Sequence, residues 1–433
     1  MIKYIFFYFS YIYNIRRKTI ILTFKNKLKL DQNQKELLDF MSNESRLLYN
    51  HFLHDQNEYY RENKKHLSYF IQQKQLKDYK TEYLTYDLKK EVLLLLEANY
   101  RSFFALIKQH KELNPKPPKF RSYKYWFTLS ITQDFMIKDN SIVVSLPNRK
   151  RLILKLQYTK PIDDLICGRH KGNSSDIKQL KIYKRNDEYY FSVSYDKKEP
   201  IDKNNINKTV SIDMGKLNLV TSYNYENNES VVYNSNLLSR NQKYFDKRID
   251  ELKSKRDKKI RNSIKNKKIN SKAKTLQSKK NTQQKLILHK LSKDLSKNNI
   301  VIGDLKNLKA NTKTKYSKIN RQMQNNWNLS TFMNQLEYKT KLRGNKYIKV
   351  NEAWTSKTCS KCGRIIDNLT LSNRQYKCDC GLDIDRDVNG AINIYKTYLG
   401  DYNTPIDFDN LSISKRFSWC DIKKMNRKYN FYE

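Results

Sequence analysis

Four of the six cysteines in this 433-residue chain fall between residues 359 and 380, ordered Cys359-x2-Cys362, a gap of fifteen residues, then Cys378-x1-Cys380. Paired thiolates on two short knuckles can close a tetrahedral site, and Gly363 and Gly381 follow each pair where the backbone must turn. The spacing predicts a structural Zn2+ held by Cys359, Cys362, Cys378 and Cys380, one that folds its own module and leaves no position open for catalysis. An iron–sulfur cluster or a redox pair is the alternative use of the same residues. Cys167 and Cys420 stand alone and read as inert. Clustered cysteines fit a reducing compartment better than a secreted one.

Beyond the second knuckle the text runs "DIDRDVNGAINI", a set of aspartates leading into a helical pattern. The charge of the chain says what such acids would face. Lys and Arg number 86 against 44 Asp and Glu, a formal +42. Every phosphate neutralised by Lys or Arg releases a condensed counterion, so the implied partner is a polyanion, with nucleic acid first among them. A solvated basic surface or a scaffold role competes with that reading, and the abundance of Lys, Asn, Ile and Tyr also suits a gene of low G+C content. A 38% hydrophobic share with 12% aromatic residues excludes a disordered chain, and the length allows two to four domains. No run approaches the ~20 apolar residues that span a bilayer. The opening "MIKYIFFYFSYIYNIRRK" has the flanks of neither a cleaved signal nor a membrane span, so residues 1–18 read as an extra strand or an over-extended gene start.

Further along, "TIILTFKNKLKL" alternates as a half-buried strand does. Asp31 and Gln34 then have the spacing of a capping box opening a helix that carries Leu37, Leu38 and Met41. A second helix is expected over roughly Asp87 to Leu113, with Val92, Leu96, Phe103 and Leu106 inward, until the prolines of "NPKPPKF" end it. Strand patterns follow, including a hairpin "IKQLKIYKRNDEYYFSVSYD". Residues 19–200 thus read as an α+β unit, a β-barrel-like sheet with a helical insertion.

After a linker, "KKEPIDKNNINK", the pattern changes to two strands and a long helical stretch. Between Arg240 and Lys297 there are 21 Lys and Arg against 5 Asp and Glu. A disordered tail is one reading; the flanking strands favour a helical hairpin lying along a nucleic-acid backbone. The strand "NNIVIGDL", a helix with Leu329, Phe332, Met333 and Leu336, and the strand "NKYIKVNEAW" complete the layout of an RNase H-like sheet, with acids ending several strands.

Those acids are Asp213 in "VSIDMG", where Val210, Ile212 and Met214 point to the opposite face; Asp304 or Glu352 at the ends of the next two strands; and Asp387 before a helix whose Ala391, Ile394 and Tyr398 share a face. Singly, each has a plainer explanation as a turn or helix cap. Together they suit a two-metal nuclease, where carboxylates converge on two Mg2+ ions about 3.5–4 Å apart.

The segments "SIDMG", "VIGDL", "NEAWTSKTCSKCG" and "CDCGLDIDRDVNGAINI", in this order and spacing, resemble the RuvC-like nuclease of transposon-encoded TnpB proteins and their Fanzor relatives, whose ancestry type V CRISPR effectors share. "LDQNQKELLDFMSNESRLLYNHFL" and "PPKFRS" resemble the segments that open those proteins. The resemblance covers roughly residues 19–396. It implies an α+β multidomain chain: an extension at 1–18; a β-barrel-like wedge domain at 19–200 with a helical recognition insertion at about 31–113; a RuvC-like nuclease at 207–353 and 384–400; a zinc ribbon inserted at 354–383; and a tail at 401–433. It makes Asp213 the first catalytic acid and Asp387 the third. The commonest pattern has a glutamate where this chain has Asp304, whereas a rearranged subgroup carries it just before the first knuckle, matching Glu352. Glu352 is therefore the expected second acid and Asp304 its alternative.

The implied function is RNA-guided, Mg2+-dependent cleavage of double-stranded DNA, with a guide RNA from the element's end and a short target-adjacent motif. Arg121, Lys124 and Tyr125, beside Tyr123 and Trp126, and Lys253, Lys255 and Arg256 in the basic stretch are expected to touch nucleic acid. No membrane partner is expected. The compartment would be the nucleoid-associated cytoplasm in a bacterium and the nucleus for a eukaryotic or viral chain. A nuclease-dead guided repressor and an RNA-independent DNA-binding accessory are the rival readings.

Overall fold

The computed structural model describes residues 19–416, apart from 64, 110, 111, 113, 139, 157–176, 186, 199–207, 305–328, 368 and 370–372. The extension at 1–18, Cys167, Cys420, nearly all of the linker and the end of the tail lie outside the described residues. The chain divides into two compact units after Lys198.

In the first unit, β1 (Thr19–Lys27) leads into α1 (Gln32–Asn63), α2 (Tyr69–Gln75) and α3 (Tyr86–Gln109). Six strands follow: β2 (Leu129–Ile131), β3 (Phe135–Lys138), β4 (Ser141–Ser145), β5 (Arg151–Lys155), β6 (Ile177–Arg185) and β7 (Glu188–Lys198). They form an antiparallel sheet β1-β7-β6-β2 and a smaller one, β3-β4-β5. Both sheets and the helices feed one core, including Leu48 and Phe52 of α1, Leu96 of α3, Ile131, Val144 and Val193.

The expected capping box opens α1: the Gln34 N–H donates to Asp31 Oδ1 (2.8 Å) and the Asp31 N–H to Gln34 Oε1 (3.1 Å). On α3, Val92 and Leu96 are buried as expected, but burial ends at Tyr100 and Leu106 is 43% exposed. Beyond Tyr100, Phe103 and Phe104 still pack partly buried against the core, Phe104 beside Tyr60 and His66, while Leu106 lies past it.

The second unit is built on β8 (Thr209–Asp213), β9 (Asn218–Asn224) and β10 (Glu229–Asn234), then the helical hairpin α4 (Asn236–Asp257) and α5 (Ile264–Leu295). After these come β11 (Asn299–Gly303), α6 (Leu329–Leu342), β12 (Tyr347–Val350), the small hairpin β13 (Gln375–Lys377) and β14 (Asp383–Asp385), α7 (Arg386–Leu399) and β15 (Ser412–Arg416). The sheet order is β12-β11-β8-β9-β10-β15, with β8, β9 and β10 antiparallel in succession and β11 and β12 parallel to β8.

Alternation along β8 separates the two faces of this sheet. Val210 and Ile212 pack with Leu238, Leu288, Leu295, Phe332 and Leu336 of α4, α5 and α6. On the other side Ser211 donates to the Ala391 carbonyl of α7 at 2.7 Å, while Val388, Ala391, Ile392 and Tyr395 pack on Tyr223 and Val232. The single apolar face expected for α7 is not what is found. Positions 386–396 of this helix are buried apart from Asp387, polar residues included, because the helix is covered on a second side. Since β8, β11 and β12 are parallel neighbours, their C-terminal ends open along one edge of the sheet. Among the described residues no helix is long and apolar enough to cross a membrane.

Candidate functional site

The four thiols come together as the spacing predicts. Cys359 Sγ lies 3.6 Å from Cys380 Sγ, and Cys362 Sγ lies 3.6 Å from Cys378 Sγ, with all four sulfurs within 4.8 Å of one another. Disulfide sulfurs bond at about 2.05 Å. A tetrahedral Zn2+ with bonds of about 2.3 Å sets sulfurs about 3.8 Å apart, so the cluster suits a metal ion, zinc by preference. Gly363 and Gly381 take φ of +76° and +87°, and each donates its N–H back to the first cysteine of its knuckle at 2.9 Å. A hydrogen bond from the Arg364 N–H holds the Cys362 thiol down to about 7, in the range where a thiolate ligand forms readily. Burial pushes Cys359 up to about 12, a shift that a bound cation would reverse. Tyr376, fully buried under the knuckles, donates to the Lys357 carbonyl at 2.9 Å.

The acids following the second knuckle take three different roles. Asp383 pairs with Lys377 at 3.2 Å across the hairpin. Asp385 is the N-cap of α7, accepting from the Asp387 N–H at 2.8 Å. Capping is thus done by Asp385, which leaves the Asp387 carboxyl free to turn toward the sheet. There Asn218 donates to Asp387 Oδ2 at 2.7 Å, and Arg374 lies 3.8 Å from the same oxygen.

Asp213 ends β8 and meets Asp387 and Glu352. Burial first, then the neighbouring Asp387 and Glu352 charges, push its carboxyl up to about 8. Glu352 is raised by burial and by Asp304, and Asp387 by burial and by Asp385. Asp304, just past the end of β11, stands beside Glu352, but Asp213 is raised by Glu352 and Asp387. The charges of Asp387 and Glu352 thus bear on Asp213, and that of Asp304 bears on Glu352. Among the described residues the cysteines are the single set of three or more ligating side chains drawn within 4.8 Å of one another. The acids are spread more widely than a single-ion cage requires.

Two glycines make this convergence possible. A Cβ on Gly390 of α7 would stand 2.9 Å from Asp213 Oδ2, and one on Gly303 would stand 2.8 Å from the Glu352 Cβ. Neither that helix nor the end of β11 could approach its acid with a larger residue.

Asn389 and Asn393, one helical turn apart on α7, are buried and bind the first knuckle. Asn389 accepts from the Ser360 N–H (2.9 Å) and donates to the Thr358 carbonyl (2.8 Å); Asn393 donates to the Thr355 and Thr358 carbonyls (2.8 and 2.6 Å). The helix carrying Asp387 is thereby fastened to the cysteine module. Sequence reasoning missed this clamp, although two asparagines four apart inside an apolar helical pattern were its visible signal.

A TnpB-like protein of Methanocaldococcus jannaschii is 31% identical over 221 residues, a stretch covering 48% of this chain and 76% of that protein. The chain belongs to the TnpB-like family. Family models described as "Probable transposase" and "Cas12f1-like, TNB domain" match residues 192–315 and 330–394. A "Helix-turn-helix domain" model matches residues 20–65, where the structure has a strand followed by one uninterrupted helix. The CRISPR-associated endodeoxyribonuclease Cas12f1 of an uncultured archaeon is 28% identical over 42% of this chain and 36% of its own length. A solved Cas12f1 bound to single-guide RNA and target DNA has a TM-score of 0.62 at 15% identity, covering 87% of this chain and 98% of that one, so the two share a fold.

The residues expected to touch nucleic acid differ in how committed they are. Lys124 and Tyr125 are exposed, while the Arg121 guanidinium lies 4.9 Å from the Tyr125 ring and 5.2 Å from that of Tyr49. Lys253 and Lys255 are exposed on α4, Lys253 pairing with Asp250 at 3.3 Å, whereas the half-buried Arg256 binds Asp257 at 2.8 Å and its carbonyl accepts from Asn266 at the hairpin turn.

A carboxyl whose folded pKa is raised binds its proton more tightly folded than unfolded. Stability should therefore fall as pH rises from the usual 3.8 toward 8. In zinc-loaded, magnesium-free protein, Asp213→Asn should flatten that slope and raise the Tm at pH 8; thermal unfolding across a pH series reads it. Asn393→Ala removes the side-chain donor to the Thr355 carbonyl and one of the two to the Thr358 carbonyl, which keeps Asn389, and should release zinc several-fold faster (about tenfold at most) to a colorimetric chelator, since a buried carbonyl loses its partner.

Proposed function

We propose that this chain is an RNA-guided DNA endonuclease of a mobile element, cutting phosphodiesters at a RuvC-like site formed by Asp213, Glu352 and Asp387. The convergence of these carboxyls, each raised by burial even with Arg374 and Arg386 near two of them, carries the reading: such a site fits divalent cations. The three would hold Mg2+, which when bound supplies counter-charge and activates water for in-line hydrolysis to a 5′-phosphate and a 3′-hydroxyl. Asn218 fixes the Asp387 carboxyl, and Arg374 is close enough to meet a phosphate.

The domain assignment belongs to the same proposal. Residues 207–353 and 384–400 form the RuvC-like domain, supported by three antiparallel strands followed by two parallel ones beside the first. Residues 354–383 are the zinc ribbon. Residues 19–200 are the wedge, its two sheets acting as the barrel and the helices between β1 and β2 as the recognition insertion. A guide RNA supplies sequence by base pairing while the protein grips phosphates and duplex shape, a division supported by the formal charge of +42 and by the fold shared with Cas12f1. Arg121, Lys124, Tyr125, Lys253, Lys255 and Arg256 are assigned to those contacts.

The test is to express the chain with the DNA that flanks its gene, sequence the RNA that copurifies, and challenge the complex with matching DNA and Mg2+. A discrete RNA should appear. Cleavage should fall at least a thousandfold, on the order of 4 kcal/mol of lost transition-state stabilisation, in Asp213→Ala and in Glu352→Ala, and far less in Asp304→Ala. Bound RNA without cutting would instead favour a guided repressor, and absence of RNA would defeat the guide.

A further inference from the structure

Trp354 lies in the turn between Glu352 and the first knuckle, with a φ of +69°. Eight non-glycine residues among those described have positive φ, and six of them are Asn or Asp, which accept the left-handed region at small cost. A tryptophan there is an outlier that persists only where its surroundings over-determine the backbone. The turn does this. Thr355 donates through its N–H (3.3 Å) and Oγ1 (2.9 Å) to the Glu352 carbonyl; the Trp354 carbonyl accepts from the N–H groups of Lys357 and Thr358, both at 2.9 Å, and from Thr358 Oγ1 at 3.0 Å. Asn393 holds the next carbonyl in place.

The indole nonetheless stands 57% exposed, so burial does not explain its retention. A lone exposed aromatic is ordinary on a protein surface; one kept in a strained conformation two residues from an acid of the site is not. Lys357 holds its ammonium 5.3 Å from the ring centroid and donates to the Asp367 carbonyl at 3.1 Å, fixing a cation beside the aromatic surface.

We infer that Trp354 is a stacking platform for a nucleobase of the unpaired DNA strand entering the acid cluster, with Lys357 meeting the phosphate of that nucleotide. The inference rests on the nuclease reading and names one way the strand is positioned. Stacking on an aromatic face tolerates any base, which suits a site whose sequence information comes from elsewhere.

The experiment uses the zinc-loaded full chain, with the RNA it carries, and single-stranded oligodeoxynucleotides bearing 2-aminopurine at successive positions, without Mg2+. One position should be strongly quenched. Trp354→Asn, which suits the same φ, should abolish that quenching and weaken binding about tenfold while leaving the Tm unchanged or higher. Trp354→Tyr should restore part of the quenching. If the wild type binds and, with Mg2+, cuts DNA while Trp354→Asn leaves every position unchanged, the stacking role alone is overturned. A lowered Tm with unchanged fluorescence would mark the indole as structural, and quenching of RNA oligonucleotides in place of DNA would also overturn the assignment. If the wild type neither binds nor cuts, the nuclease reading fails and takes this inference with it.

Discussion

Carboxylates under cover repel one another, and the second unit is arranged around three that do. Asp213 reaches a pKa of about 8 because β8 carries it beneath α7 and toward Glu352 and Asp387. Nothing in ordinary packing favours that arrangement, and each neighbour makes room for it. Gly390 and Gly303 give up side chains at the points of closest approach, and Asp385 takes over the capping that Asp387 would otherwise perform. In the bare fold a proton on Asp213 offsets that cost at neutral pH; in the function proposed above, a divalent cation would take the proton's place.

The cysteine module and the acid site depend on each other through a few hydrogen bonds. Glu352 lies on one side of the module in the chain and Asp387 on the other, so the cysteines interrupt the acid site in sequence. Asn389 and Asn393 close the gap in space by binding the backbone of the first knuckle to the helix carrying Asp387. A metal that folds the knuckles thus also steadies one acid, while remaining too enclosed by thiolates to act on substrate.

Much of this was legible in the residues themselves. The cysteine spacing, the Asp31–Gln34 box, the helical hairpin and the helix with Leu329, Phe332 and Leu336 all rest on local rules of period, cap and turn, and local rules survive into the fold. What was not legible came from contacts between distant segments. That the charge of Glu352 bears on Asp213 while that of Asp304 bears on Glu352 depends on how three separate strands line up, which periodicity does not encode. Asn218 lies 169 positions from the carboxyl it orients. The burial of α7 on its polar side and the exposure of Leu106 both depend on what covers a helix, and one helix's sequence does not say where its neighbours stop.

We propose that Asp213, Glu352 and Asp387 form one cation site in which Asp304 is a bystander. Titrating zinc-loaded protein with Mn2+ and following the free ion by electron paramagnetic resonance tests it without substrate or guide. Asp213→Asn and Glu352→Gln should each lower Mn2+ affinity by about tenfold or more, as removal of a charged ligand does, while Asp304→Asn stays within a few-fold of the wild type. Undiminished binding in Glu352→Gln with loss in Asp304→Asn would contradict it.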